Sequence, residues 1–147
     1  MVKNTWCLLA MVLLIGKFNT TKAQNYYAAI AVSPSSGAYG WANNYQTQDS
    51  AKAEALRQCA TVTSDCNFVA WVWNWCAILF QGELVNPCTG ERTGRRGSWA
   101  GVYRSIEVAA TFARKDCECR AVGCQMSLTL CAGNGESGEN GGGASYT

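Results

Sequence analysis

Between residues 26 and 132 the apolar positions fall into short runs with strand character and two faces at helical spacing. Tyr27-Ala-Ala-Ile-Ala-Val-Ser33 predicts a strand, Pro34-Ser-Ser-Gly37 is turn chemistry, and Ala38-Tyr-Gly-Trp-Ala-Asn43 predicts the hairpin partner. A helix follows, capped by Thr47 or Ser50, with Ala51, Ala55, Leu56 and Cys59 on one face. Asn67-Phe-Val-Ala-Trp-Val-Trp-Asn-Trp75, rich in aromatic and β-branched residues, predicts the next strand. The pattern then begins again. Ala77-Ile-Leu-Phe80 reads as a strand, 82–96 as an enlarged loop, and Ser98-Trp-Ala-Gly-Val-Tyr103 as a strand. A helix capped by Ser105 comes next, with Val108, Ala109, Phe112 and Ala113 as its buried face, and Gln125-Met-Ser-Leu-Thr-Leu130 alternates as a final strand.

Spacing relates the two halves. Trp41, Tyr45, Ala51, Ala55, Cys59 and Cys66 recur 58 residues later as Trp99, Tyr103, Ala109, Ala113, Cys117 and Cys124. The chain therefore reads as two internal repeats, about 26–75 and 76–132, each a β-β-α-β unit. Helices faced with alanine lie close to what they cover, which predicts a mainly antiparallel sheet with both helices packed on it. The expected class is α+β.

The ends read differently from this middle. Lys3 precedes the apolar run Cys7–Ile15, which is followed by a polar stretch with small residues at Thr21 and Ala23. That is the pattern of a signal peptide over 1–23, cut before Gln24 and taking Cys7 and the sequon Asn19-Thr20-Thr21 with it. The apolar run is too short to span a bilayer, so no membrane span is expected after its removal. Residues 24–132 form the expected single domain, and 133–147 a Gly-rich disordered tail with no hydrophobic segment for a lipid anchor.

Composition narrows the chemistry. None of the 147 residues is His, so Ser-His-Asp and Cys-His catalysis and His-ligated zinc or haem are excluded. Lys and Arg total 12 against 10 Asp and Glu, but Lys3, Lys17 and Lys22 leave with the signal. The remaining near-neutral chain lacks the electrostatic footprint of a nucleic-acid binder. Removing Cys7 leaves eight of the nine Cys, an even number in an exported chain, which predicts four disulfides.

The segment Tyr27-Ala-Ala-Ile-Ala-Val-Ser-Pro-Ser-Ser-Gly-Ala-Tyr-Gly-Trp41, the Ala-rich helix ending Leu56-Arg-Gln-Cys59, the Val/Trp strand after Cys66, and Asn74-Trp-Cys-Ala77 together resemble the family called domain of unknown function 4189. The resemblance covers 26–132, with the 82–96 loop, Cys88 and Cys119 as additions to the family's pattern. It implies an exported, cysteine-paired domain and brings no established activity, cofactor or site residue.

Cys59 closes a predicted helix and Cys66 opens the next strand, and Cys117 and Cys124 stand in the same relation, so each pair is expected to clamp a helix-to-strand turn. Cys76 and Cys131, at the ends of matching strands, are then expected to join the halves, leaving Cys88 for Cys119. The competing reading is a metal site from Cys117, Cys119, Cys124 and Cys131, but their spacing is no recognised zinc knuckle and an oxidising exterior favours disulfides. No C-x-x-C redox motif is present. Neither metal nor cofactor is expected.

Trp71, Trp73 and Trp75 alternate, so on one strand they share a face, either as a platform for sugar rings or as core beneath an Ala-rich helix. The core reading is preferred and predicts three mainly buried indoles. Arg92, Arg95 and Arg96 concentrate positive charge in the 82–96 loop, which suits an anionic glycan, a processing protease or plain solvation. The carboxylates Asp49, Glu54, Asp65, Glu83, Glu91, Glu107, Asp116 and Glu118 sit mostly in helix first turns and loops, and nothing selects two of them as a glycosidase-like pair. The expected function is a secreted, non-catalytic binding or interaction domain for an extracellular or envelope surface component, glycan or protein. A secreted inhibitor or effector acting on another protein is the alternative, and a carboxylate-based hydrolase the third reading.

Overall fold

The Pro34–Gly37 turn, with Gly37 at φ +71°, joins β1 (Tyr27–Val32) to β2 (Tyr39–Tyr45) as an antiparallel hairpin. In the computed structural model, which describes residues 25–133 and the strand Gly142–Ala144, this hairpin begins a regular series. It continues through α1 (Gln48–Cys59), β3 (Asn67–Trp73), β4 (Cys76–Val85), β5 (Arg92–Tyr103), α2 (Ile106–Glu118), β6 (Ala121–Cys131) and β7 (Gly142–Ala144). The expected signal segment, with Cys7 and the sequon, lies outside the described residues, as do 134–141 and 145–147.

Both helices start on the expected kind of residue. The Thr47 side chain accepts from the Ser50 N–H, and Ser105 accepts from that of Val108, each satisfying a donor with no partner inside its helix. Ala51, Ala55 and Cys59 of α1 are buried, and so are Ala109, Ala113 and Cys117 of α2. Val108 and Phe112, expected in the buried face of α2, are instead exposed. The strip that approaches the sheet is narrow because strand and helix backbones nearly touch there, and only small side chains fit.

The strands form two antiparallel sheets, ordered β2-β1-β3-β7 and β5-β4-β6, where one sheet was expected. The division falls after β3, where Asn74 takes the left-handed φ of 52° and sends the chain out of the first sheet into the second. Ala28, Ile30, Val32 and Val72 of the first sheet meet Ala77, Leu79, Ala100 and Leu130 of the second in a core that contains no helix residue. Ala29, Ala31 and Ala42 pack outward on α1, and Ile78, Phe80 and Trp99 outward on α2. The layers are thus helix, sheet, sheet, helix, an α+β architecture.

The two halves share their element order and the strand orders β2-β1-β3 and β5-β4-β6. Trp41 and Trp99, equated by the 58-residue spacing, nevertheless lie on opposite sides of their sheets. Trp41 pairs with Ile30, an inter-sheet residue, and is 44% exposed, whereas Trp99 pairs with Phe80 and is buried against α2. A bulge in β2 explains the difference. Tyr27 pairs with Tyr45 but Ala29 with Ala42, so β2 carries one extra residue there, with Asn44 at φ 60°. Residues before the bulge change face relative to their counterparts in β5, while Tyr45 and all that follows keep the spacing.

Three other expectations are revised. Residues 82–96 are largely strand, because β4 and β5 pair from Cys76 with Tyr103 out to Val85 with Arg92. Gly142–Ala144, within the stretch expected to be disordered, pairs with Val72, Trp71 and Ala70 and extends the first sheet beyond β3. The edge of β3 offers backbone groups that need partners, so a segment with almost no apolar side chains still gains hydrogen bonds there. Disulfides join Cys59 to Cys66, Cys117 to Cys124 and Cys76 to Cys131, but Cys88 and Cys119 are free and exposed. Each free thiol sits in its own turn. The Cys88 N–H donates to Asn86 Oδ1, and the Cys119 N–H to the Lys115 carbonyl at the end of α2.

Candidate functional site: a polar ledge on the inner face of the second sheet

β4 and β5, at 10 and 12 residues, outreach the six and seven residues of β1 and β2. Beyond the β1–β2 turn the inner face of the second sheet consequently has no described strand of the first sheet above it. Its side chains change from apolar to polar there, following the strand period: Leu79 is core, and Gln81 and Glu83 come next on that face. The alternate residue, Gly82, faces α2, where an added Cβ would meet Ala121 and the Cys117–Cys124 sulfurs. The resulting concave ledge encloses about 460 Å³ and is lined by Gln81, Glu83, Arg92, Arg96, Gln125 and Ser127, with glycines between them.

Gln81 is its fixed floor. The side chain is buried, its amide NH₂ donates to the Gly37 carbonyl (2.7 Å) and to Ser98 Oγ (3.1 Å), and its Oε1 accepts from Ser127 Oγ (2.8 Å). A satisfied buried amide orients all three strands and ties the β1–β2 turn to them. That turn is itself held from below. The Asp65 carboxylate accepts from Ser33 Oγ (2.6 Å), Thr63 Oγ1 and the Ser35 N–H (3.0 Å). The Ser33 and Thr63 hydroxyls, followed by Ser35, hold the Asp65 pKa well below the usual carboxylate range, so this anchor stays ionised at neutral pH.

Charge on the ledge is uneven. Arg92 pairs with Glu83 (3.2 Å), whose other oxygen accepts the Gly94 N–H (3.2 Å). Arg96 lies opposite Glu83 in the ladder, yet it has no acidic partner among the described residues. Its stem passes over the Gly37 turn, where an added Cβ would stand 2.9 Å from Arg96 Cδ. The ledge thus offers a spare guanidinium beside side-chain amides and a hydroxyl, a donor-rich surface suited to a polar ligand bearing negative charge.

The structure brings Arg92 and Arg96 together on the ledge and leaves Arg95 outside it, exposed, because alternate residues of a strand face opposite ways. Gln81, Gln125 and Ser127 were not singled out from sequence; the one available signal was a Gln directly after the apolar run Ala77–Phe80. The three Trp do not form a platform. Trp71 packs on the α1 side and Trp73 stacks on Tyr27 (6.0 Å, 11°), but beyond the Asn74 kink Trp75 packs against the inter-sheet core, beneath Arg104. All three are half-buried, where they were expected to be mainly buried, so Trp73→Ala should cost less than the roughly 3–5 kcal/mol of a fully buried aromatic. Cys117, Cys124 and Cys131 are committed to disulfides.

Fold and site together define a disulfide-braced α+β domain of two ββαβ units with a polar ledge at one end. The chain belongs to the family described as Domain of unknown function (DUF4189), whose model matches residues 27–131. Comparison with curated proteins and with solved structures gives no match. No helix among the described residues is long and apolar enough to cross a membrane, and three disulfides fit an oxidising compartment.

Proposed function

We propose that this is an exported, non-catalytic binding domain that holds an acidic glycan of an extracellular or envelope surface on the ledge of the second sheet. The observation that carries the reading is Arg96, a guanidinium without an acidic partner among the described residues, beside the Gln81–Ser127 hydrogen-bond network and the Arg92–Glu83 pair. Sugar hydroxyls exchange well with amide and hydroxyl groups, and a uronate carboxylate fits the fork of an arginine. The only carboxylate among the described lining residues is Glu83, already engaged by Arg92 and Gly94, which favours binding over two-carboxylate hydrolysis. Export rests on the signal pattern in 1–23 and on the disulfides.

Retention on an immobilised polyuronate at low salt tests this. The mature protein should be retarded and eluted by salt, and Arg96→Glu, exposed and therefore expected to fold, should flow through. Absence of retention for the wild type, or equal retention of Arg96→Glu, would reject the ledge as a glycan site.

A further inference from the structure

An exposed apolar stripe on α2, independent of the ledge, has no counterpart on α1. Phe112 is 51% exposed and Val108 42%, and Tyr103 at the end of β5 lies against Phe112. Phe112 stacks on Tyr103 (4.9 Å between centroids, 15° between planes), so the patch is already ordered. The positions 58 residues earlier supply an internal control: Gln48, Ser50 and Glu54 stand where α2 has Ile106, Val108 and Phe112. Helix packing on its own sheet does not ask for the apolar residues, since Ala109, Ala113 and Cys117 do that work in α2 as Ala51, Ala55 and Cys59 do in α1. Several apolar side chains gathered on one exposed helix face mark an interaction surface.

The charges beside the stripe indicate the occupant. Glu107, Thr111 and Lys115 follow one another at four-residue spacing along α2, next to Val108 and Phe112. Such a line of acid, neutral and base is complementary to itself when two copies run antiparallel: Glu107 meets Lys115, Thr111 meets Thr111, and the helix dipoles oppose. The matching line on α1 is Asp49, Ala53 and Arg57, but Arg57 is held by Glu54 (2.7 Å) and no apolar stripe accompanies it. Lys115 has no such partner among the described residues.

We infer that α2 is a self-association surface, through which two copies of the chain pair about a two-fold axis near Thr111, burying Val108 and Phe112 between Glu107–Lys115 contacts. One helix per copy is a small interface, so the dimer is weak and depends on concentration. Sedimentation velocity of the mature protein over a wide concentration range tests it. The wild type should move from monomer to dimer, Phe112→Ser should stay folded but monomeric, giving up only the Tyr103 stack in thermal stability, and Lys115→Glu should dimerise less. The double reversal Glu107→Lys with Lys115→Glu should restore the dimer, because both symmetric contacts are then re-formed with opposite sense. A wild type monomeric throughout, a dimer indifferent to Phe112→Ser, or failure of the double reversal would overturn the inference. So would a monomer that instead co-sediments with anionic phospholipid vesicles, which would give the stripe to a membrane surface.

Discussion

Gly40→Ala tests the close approach of helix and sheet on which the layered fold depends. A Cβ at residue 40 would fall well inside 3.0 Å of the Ala55 carbonyl oxygen and the Cys59 amide nitrogen, with Gln58 Cβ at 2.9 Å. Two of these neighbours are backbone atoms in the middle and last turn of α1, so no rotamer change removes the clash. Relief requires α1 to withdraw from β2 by on the order of 1 Å, opening gaps around Ala51 and Ala55 that forfeit dispersion contacts. The Cys59–Cys66 disulfide ties the end of α1 to the start of β3, so the helix cannot swing free at that end. Overpacking of this kind costs about 1–3 kcal/mol, and a backbone clash belongs near the top of that range even after the smaller unfolded-state entropy of Ala is credited. For a domain of this size that lowers Tm by roughly 10–20 °C. Urea denaturation followed by tryptophan fluorescence measures it, with Gly90→Ala as the control. Gly90 has φ +72° in the β4–β5 turn and nothing within 4 Å of an added Cβ, so only the left-handed backbone costs, about 1–2 kcal/mol. A Gly40→Ala protein within about 0.5 kcal/mol of wild type would refute the tight helix–sheet contact.

Folding lowers the Asp65 pKa through the Ser33, Thr63 and Ser35 hydrogen bonds, so the unfolded chain takes up its proton first as pH falls. The stabilisation is complete above the ordinary carboxylate value of about 4 and disappears as pH drops through the lower folded value; the urea-midpoint gap between wild type and Asp65→Asn should be flat above about pH 5 and shrink below it, and a gap independent of pH would count against the network. Cys76–Cys131 closes a separation of 55 residues and Cys59–Cys66 one of 7, so paired Cys→Ala replacement should cost about 4 kcal/mol at the first and about 2.5 kcal/mol at the second. The reverse order in denaturant titration would contradict the loop-closure account. In native protein lacking residues 1–23, and so Cys7, Cys88 and Cys119 should both be alkylated by iodoacetamide, read as two added groups by intact mass; no alkylation without reductant would show that they are joined.

Local signals made most of the elements legible. Thr47 and Ser105 cap, the alanines at helical spacing face the sheets, and the paired Cys bracket both helix-to-strand turns. Division into two sheets was not legible, because it depends on one residue, Asn74, whose left-handed backbone interrupts an otherwise regular Trp alternation. The change of face at Trp41 has a similar cause: one extra residue at the Asn44 bulge reverses every side chain before it, and only pairing with Tyr27 and Ala29 reveals it. The missing fourth disulfide is a matter of geometry. Counting left Cys88 and Cys119 for each other, but the Asn86 turn and the end of α2 hold them separately.

The ledge shows why a site can escape sequence while every residue in it is visible. Glycines and charges at 82, 83, 92 and 94–97 have the composition of a solvated loop, and a loop was the expectation. They form strands because each face has a separate demand. Gly97 must be small where the Trp99 ring and Leu84 lie, and Gly82 where the Cys117–Cys124 sulfurs lie, while Gln81, Glu83 and Arg96 are polar because the first sheet ends before reaching them. Period-two patterning survives, but written as small against polar instead of apolar against polar, and hydrophobicity alone does not register it. The relevant quantity is the difference in length between hairpins: β4–β5 outruns β1–β2, and the uncovered end of a longer sheet becomes a surface open to a ligand. Shortening β4–β5 to the length of β1–β2 would therefore remove the ledge while leaving the inter-sheet core of Ile30, Val72, Leu79 and Leu130 intact.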